Sequence, residues 1–365
     1  KIPYWEIWNE PEGTSMWKGT WDDYFRLYEA SSKHLKKCFP HLKIGGYGSC
    51  GFYAAGKNPG EIAEKASARG RRYMDFFFKF LDYVKAHDCP LDFFSFHSYA
   101  KVEDALKQSK WCLATLKEKG FGHVETSINE WLPAPSHERL GSADQAADVC
   151  AEMIGFQHLG LTTAMIYDAR CGVGNYSPLF NPMTYKPHKA YYALKCFNEL
   201  YRLKTEVKSS SDDPNVYVMA AGGPAGGAVL VANVSKNPVP FAPDLGGRKV
   251  LACRITDATR TDVEIQMPSE LPPHSFVLLK TGEGISRAPF ETVLRDERAS
   301  RAEKGAKHET DYALDGRTRH RVGGRRGREF GFPRRSLGTF MATPGGEGRM
   351  AYDSRAGARR RLRCA

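Results

Sequence analysis

Short apolar runs alternate with amphipathic segments from the start of the chain to about residue 204. The runs have strand character and cover residues 2–9, 42–48, 91–99, 123–131 and 161–169. Segments with apolar residues at helical spacing follow them, over about 21–38, 70–87, 103–119, 142–158 and 187–201. Five such βα units with short connections predict a parallel sheet with helices outside it.

Signals for helix ends support three of these helices. Thr20 and Asp23 form a capping-box pattern before the first helix. Ser142 precedes the fourth helix as an N-cap, and Gly160 ends it. Pro187 opens the fifth helix, where its missing N–H costs nothing.

The pattern changes after residue 204. Short β-rich runs separated by Gly, Pro and Asn turns predict a small antiparallel β-sandwich over 205–284. From 285 onward apolar residues become sparse and no periodicity remains, so 285–365 is predicted to be disordered. The predicted domains are therefore an α/β unit (1–204), the sandwich (205–284) and a tail (285–365).

Charge separates the tail from the rest. The chain carries a net charge of +11, but residues 285–365 hold 20 Lys and Arg against 10 Asp and Glu, and 18 of those 20 are Arg. The part before the tail is close to neutral. The tail lacks alternating aromatic and basic residues, so no nucleic-acid partner is expected. Whether it is native coding sequence is left open, and we expect it to be dispensable.

The remaining composition gives few signs of cofactors or membranes. None of the nine cysteines forms a C-x-x-C pair, which predicts free thiols rather than zinc ligands or disulfides and leans weakly toward a cytoplasmic location. No apolar run approaches the ~18 residues of a membrane span. "GYGSCG" (46–51) fits a dinucleotide fingerprint, but Gly56, Pro59 and Gly60 interrupt the helix that should follow. We therefore expect no cofactor, metal or membrane partner; the oligomeric state is open.

Polar side chains cluster where the predicted strands end. In parallel α/β folds this edge of the sheet is where active sites are built. Two carboxylates, an imidazole, phenols and indoles suit glycoside hydrolysis, in which one carboxyl group gives a proton and the other attacks the anomeric carbon. The residues concerned are Asn9, Glu10, His97, Tyr99, Asn129, Glu130, Trp131, Tyr167 and Asp168.

These motifs resemble those of a known enzyme group. "WEIWNEP" (5–11) is similar to the acid/base strand of the clan A retaining glycoside hydrolases, and "SINEW" (127–131) to their nucleophile strand. The order of "WNEP", "FHSY" and "NEW", followed by a small β-domain, is most like glycoside hydrolase family 39, the β-xylosidase and α-L-iduronidase family. The resemblance covers about residues 1–282.

The resemblance implies a TIM (β/α)8 barrel of which this chain holds strands four to eight, followed by the sandwich and the basic tail. It also implies roles for single residues. Glu10 would be the acid/base and Glu130 the nucleophile. Asn9 would contact the substrate 2-hydroxyl, Tyr99 would hydrogen-bond Glu130, and His97 would line the sugar pocket.

Aromatic residues at the same edge are predicted to line the pocket as well: Trp8, Trp131 and Tyr167. Two departures from the family pattern weaken the prediction of the sugar. Tyr167–Asp168 stands where many clan members carry Trp, and "NEWLPAPS" lacks the Asn that often follows Trp. Asp168 is open between a substrate contact and a salt bridge, and Glu6 is interpreted as a hydrogen-bonded interior carboxylate.

The sequence therefore predicts a retaining glycosidase that removes a terminal, xyloside-like sugar from an oligosaccharide or glycoside. The alternatives are an endo-acting clan A glycanase and a non-catalytic carbohydrate-binding fragment. Because only five βα units are visible, we expect an N-terminally truncated barrel that is inactive alone.

Overall fold

The computed structural model describes residues 2–223 and 226–282. Its α-helices, in chain order, are α1 (Trp21–Cys38), α2 (Ala68–Ala86), α3 (Val102–Glu118), α4 (Ala143–Leu159) and α5 (Lys189–Leu203). The first five strands are β1 (Tyr4–Glu6), β2 (Lys43–Ser49), β3 (Phe93–Ser98), β4 (Glu125–Trp131) and β5 (Thr163–Ile166). The later strands are β6 (Thr205–Val207), β7 (Val216–Gly223), β8 (Gly226–Asn233), β9 (Val239–Pro240), β10 (Val250–Thr256), β11 (Val263–Ile265), β12 (Glu270–Leu271) and β13 (Ser275–Thr281).

The first half of the chain forms one parallel sheet. Its strands lie in the order β1–β2–β3–β4–β5, and every neighbouring pair is parallel. β1 and β5 are its two edges, so among the described residues the sheet stays open rather than closing into a barrel. The prediction of an α/β fold with a half-barrel of parallel strands is confirmed.

An aromatic core holds the first two helices against the sheet. Helix α1 starts at the predicted capping box, in which the Thr20 side chain accepts from Asp23 N and the Asp23 carboxylate accepts from Thr20 N. Rings from α1, α2, β2 and β3 interlock behind the sheet, mostly edge to face. The fully buried members of this group are Tyr24, Tyr28, Tyr47, Phe76, Phe77, Phe80 and Phe94. Burying rings of this size dominates the stability of such a core.

Six of the later strands form an antiparallel sheet, ordered β11–β10–β13–β8–β7–β6. One face packs on α4 and α5, and residues such as Met219 and Leu230 belong to the same core cluster as the parallel sheet. The other face has its own small cluster, which includes Phe241 and Leu271 from the loop region around the two-stranded β9–β12 sheet. The predicted antiparallel strands are present; the sandwich and the boundary at 204/205 stay predictions, since the core runs across that boundary.

Three further expectations concern the tail, the cysteines and membrane-spanning helices. The predicted tail, 285–365, lies outside the described residues. Each of the eight cysteines that the structure describes is a free thiol. Among the described helices, none has both the length and the apolar character needed to cross a bilayer.

Candidate active site

The carboxyl ends of three strands bring the two predicted catalytic glutamates together. Glu10 follows β1, His97 lies on β3, and Glu130 lies on β4. In the sheet register, His97 is the direct partner of Glu130. One donor atom from each of these three side chains lies within 4.8 Å of the others. The predicted clustering at this edge is therefore present in the structure.

Glu10 is presented by a turn with unusual backbone angles. The ladder of β1 ends at Glu6, earlier than the predicted residue 9, because Trp8 (φ 72°) and Glu10 (φ 49°) leave the extended conformation. Such angles cost of order 1 kcal/mol or more in residues other than glycine and are typical of functional sites. Backbone bonds from Glu10 N to Gly48 O (3.1 Å) and from Gly13 N to Glu10 O (3.0 Å) hold the turn.

Strand β2 makes room for this arrangement with a glycine at position 48. A Cβ at Gly48 would lie 2.8 Å from Asn9 Oδ1, 3.2 Å from Glu6 Oε1 and 3.2 Å from His97 Nε2. The φ of Gly48 is +62°, a conformation that favours glycine. Glycine at this position therefore lets side chains from β1 and β3 reach each other across β2.

His97 lies between the two carboxylates. Its Nδ1 is 2.8 Å from Glu10 Oε1 and 3.7 Å from Glu130 Oε2, and its side chain is completely buried. The carboxylates keep about a fifth of their side-chain surface accessible, 21% for Glu10 and 24% for Glu130. An enclosed imidazole beside two partly accessible carboxylates fixes the acids while leaving them open to a substrate.

Tyr99 forms a hydrogen bond with Glu130. Its hydroxyl donates to Glu130 Oε2 at 2.7 Å. Burial, and next the bond to the Glu130 carboxylate, raise the pKa of Tyr99 well above its usual range, so the phenol stays a donor at any physiological pH. This contact is the one that the family resemblance implied. The hydrogen bond from Tyr99 therefore fixes the orientation of the Glu130 carboxylate.

Glu6 joins the same layer of side chains. Its Oε1 accepts from Ser95 Oγ, and its Oε2 accepts from Asn129 Nδ2 at 2.8 Å. Ser95 Oγ in turn accepts from Gly48 N at 2.9 Å. The sequence interpretation of Glu6 as a hydrogen-bonded carboxylate agrees with these contacts. Ser95 was not singled out, although it lies two residues before His97 and so on the same strand face.

Three tyrosine rings form one wall beside Glu130. Tyr99 lies 5.0 Å from Tyr176 and 6.2 Å from Tyr167, measured between ring centroids, and all three pairs are edge-to-face. Tyr176 lies in the irregular segment after β5, where no periodicity could have indicated it. Asp168 accepts from Arg170 Nε at 2.6 Å, which favours the salt-bridge interpretation.

The two predicted tryptophans take different places. Trp131 follows Glu130 on β4, so its side chain points to the opposite face of the sheet, where it is fully buried against Phe156 at a centroid distance of 5.4 Å. It does not join the carboxylates, and we leave it out of the site. Trp8 is 49% exposed, and its Nε1 donates to Met16 O at 3.2 Å.

A buried carboxyl group, that of Glu12, lies two residues after Glu10 in the chain. Glu12 is fully buried, and its Oε1 accepts from Ser49 Oγ (2.9 Å) and Cys50 N (2.6 Å), whereas Oε2 has no partner in the described structure. Burial raises the pKa of Glu12 to about 7, partly offset by the hydrogen bonds it accepts. The group therefore changes protonation near neutral pH.

We expect Glu12→Gln to flatten the pH dependence of stability. The unfolded chain loses this proton near pH 4.5, while the folded chain keeps it to about pH 7. Between these values the folded state binds more protons, so the free energy of unfolding falls as pH rises. Glutamine keeps the acceptor oxygen but cannot ionise, so between pH 4 and 8 the variant should gain roughly 3 kcal/mol relative to the unaltered chain.

Chemical denaturation at several pH values measures this difference, with the exposed Glu64→Gln as a matched control. A constant difference between Glu12→Gln and the unaltered chain over the whole range would contradict the expected titration.

The carboxylate–imidazole–carboxylate set could also ligate a cation. Glu10, His97 and Glu130 offer two carboxylate oxygens and one ring nitrogen close enough together for that. The chemistry considered below requires only protons, a nucleophile and a water molecule, and it uses these side chains directly.

Comparison with known proteins points to one family. Residues 2–138 match the family described as "Glycosyl hydrolases family 39". The chain is 26% identical over 172 residues to a β-xylosidase of Geobacillus stearothermophilus, a match that covers 40% of this chain and 30% of that protein. A β-xylosidase of Caldicellulosiruptor saccharolyticus is 26% identical over 133 residues, 36% of this chain and 23% of its own length. The matches thus span under a third of these relatives.

A solved structure shares the fold. A glucosidase from Croceicoccus marinus superposes with a TM-score of 0.58 at 17% identity, covering 78% of this chain and 69% of that one. At this identity the likeness shows the fold alone. The resemblance predicted from the two Asn–Glu motifs is confirmed: the chain is similar to clan A glycoside hydrolases, and residues 2–138 to family 39.

Proposed function

We propose that this chain carries the catalytic pair of a retaining glycosidase that removes a xyloside-like terminal sugar. One observation supports this above all: carboxylate oxygens of Glu10 and Glu130 lie within 4.8 Å of each other at the carboxyl edge of a parallel sheet. Retaining enzymes keep their two carboxyl groups about 5–5.5 Å apart, whereas inverting enzymes leave ~6.5–9.5 Å for a water molecule.

The proposed reaction has two displacements. In the first, a Glu130 oxygen forms a bond to the anomeric carbon, the bond to the leaving oxygen breaks, and the Glu10 carboxyl proton moves to that oxygen. In the second, a water oxygen attacks the same carbon, the bond to Glu130 breaks, and Glu10 takes the proton of the water. Glu10 ends protonated and Glu130 ionised, as at the start.

Neighbouring side chains fit these two roles. The Tyr99 hydroxyl bonds Glu130 Oε2, which orients the carboxylate and leaves its other oxygen for attack. His97 Nδ1 bonds Glu10 Oε1, so the proton that Glu10 exchanges with the leaving oxygen belongs on Oε2. The wall of Tyr99, Tyr167 and Tyr176 offers ring faces and edges against which a sugar can pack.

The relatives support the choice of sugar. Two curated proteins that match this chain are β-xylosidases. We therefore propose a β-xyloside as substrate.

The test joins this 365-residue chain to the part of the Geobacillus stearothermophilus β-xylosidase that precedes its match. We call this product the joined protein. It should hydrolyse aryl β-xylosides, and nuclear magnetic resonance of the first product should show retained configuration. The 365-residue chain alone should act far more slowly, because its open sheet leaves the sugar without walls on the side of β1.

Two results would contradict the proposal. The first is a folded joined protein that hydrolyses no glycoside in a panel of aryl xylosides, glucosides and arabinosides or in xylan. The second is a product of inverted configuration, which would remove the double-displacement mechanism. Cleavage of xylan in the middle of the chain, with aryl xylosides untouched, would replace the terminal-sugar proposal by an endo-acting one.

A further inference from the structure

The Glu6 carboxylate reaches from the acid strand to the nucleophile strand. Glu6 is the last residue of β1, and its partner Asn129 lies on β4, with β2 and β3 between them. Such a contact needs a strongly curved sheet and small residues on the strands that it crosses. Gly48 on β2 and Ser95 on β3 supply that space, and Ser95 also donates to the carboxylate.

Each end of this contact adjoins one of the catalytic glutamates. Asn129 immediately precedes Glu130, and Glu6 precedes the turn that presents Glu10. We propose that Glu6 is a positioning residue, whose bond to Asn129 ties β1 to β4 and sets the separation of the Glu10 and Glu130 carboxylates. The naming of these two as catalytic rests on the proposed function; the bond itself does not.

Glu6 has surroundings in which its bond to Asn129 stabilises a desolvated carboxylate. The residue is exposed on the open side of the sheet, yet protein atoms crowd around its carboxyl group, and this desolvation raises the pKa of Glu6. The hydrogen bonds from Ser95 and Asn129 act in the opposite direction and favour the carboxylate. The charge of His97 on β3 lowers the pKa of Glu6, and the charge of Glu130 on β4 raises it.

The chain contains a matched control for this bond. Glu125 begins β4 and accepts from the hydroxyl of Tyr4, on β1, at 2.8 Å. It also bonds Lys43 on β2. The same two strands are thus bridged by a glutamate at each end, near the catalytic pair in one case and far from it in the other.

The experiment compares Glu6→Ala with Glu125→Ala in the joined protein, since alanine removes each carboxylate and with it the bridging bond. Glu6→Ala should lower kcat about 10- to 100-fold, because a misplacement of about 1 Å has an effect of that order, while KM changes less than about threefold. Glu125→Ala should lower the melting temperature but leave kcat unchanged. Equal losses of kcat in the two variants, or no loss in Glu6→Ala, would overturn the positioning role.

An isosteric exchange separates geometry from charge. In Asn129→Asp two carboxylates face each other without a donor, so the bond is lost although the volume of the side chain is kept. In the double variant Glu6→Gln/Asn129→Asp, the amide donates to the carboxylate, so the bond is restored in the reverse direction. We expect Asn129→Asp to lower kcat and the double variant to recover most of that loss. A double variant as slow as Asn129→Asp would overturn the proposal. If Glu6→Ala fails to fold, Asn129→Ala removes the same bond from the other strand and should show the same kcat loss.

A readout without turnover makes the inference independent of the proposed function. Crystal structures of the 365-residue chain with Glu6→Ala and with Glu125→Ala give the Glu10–Glu130 separation directly. Only Glu6→Ala should increase it, by roughly 0.5 Å or more, the tolerance of a productive site. An unchanged separation overturns the inference even if the joined protein is active, and a changed one supports it even if the joined protein is inactive.

Discussion

Glu130→Gln should lower hydrolysis of aryl β-xylosides by the joined protein about 10⁴-fold or more. The amide is as large as the carboxylate and can still accept from the Tyr99 hydroxyl, which lies 2.7 Å from Glu130 Oε2. It cannot form the bond to the anomeric carbon on which both displacements depend. Sugar binding should persist, since the tyrosine wall and His97 are untouched.

Initial rates and calorimetric binding of xylose or an inhibitor measure the two properties separately. Glu125→Gln, on the same strand, is the control for effects on folding. Near-normal turnover by Glu130→Gln would remove Glu130 as the nucleophile. Loss of both turnover and binding would point to a damaged fold, which the melting temperature would reveal.

Glu10→Ala should affect poor and good leaving groups differently. General acid catalysis contributes roughly 10²–10⁴-fold, and it matters little when the leaving group is an acidic phenol. The value of kcat/KM should therefore fall about 10³-fold for alkyl xylosides and by less than about 10-fold for nitrophenyl xylosides. For the nitrophenyl substrates kcat should still fall, because Glu10 also activates water in the second step.

A second measurement makes this prediction specific. Azide needs no general base, so it should restore kcat of Glu10→Ala on nitrophenyl xylosides and yield a glycosyl azide. Equal losses of kcat/KM for both substrate classes, with no effect of azide, would mean that Glu10 only positions the substrate.

Local patterns predicted the elements well because they depend on neighbouring residues. Helix α1 begins at Trp21, directly after the capping box, and ends at Cys38, as the spacing of apolar residues over 21–38 predicted. The early end of β1 could not be predicted in the same way. Trp8 and Glu10 adopt positive φ, and Glu10 N donates to Gly48 O on β2, a contact between residues far apart in the chain.

The sequence predicted which residues form the site better than it predicted the contacts between them. Strand ends indicated Glu10, His97, Tyr99 and Glu130, but the pairing of His97 with Glu130 depends on the register shift between β3 and β4 at Phe96–His97. Neighbouring residues of a strand point to opposite faces, so the sequence alone could have shown that Trp131 does not share a face with Glu130. Tyr176 follows no period, so only folding brings it to Tyr99.

Strand β2 has a consequence for attempts to engineer this sheet. A Cβ at Gly45 would lie 2.1 Å from Phe93 O, and one at Gly48 would displace Asn9 and crowd Glu6. Neither glycine can touch a substrate through a side chain, yet alanine at either should abolish function. In a saturation library screened for activity, we therefore expect no active substitutions at Gly45 and Gly48. The reason would be the lack of space for a side chain, not a role of these residues in the reaction.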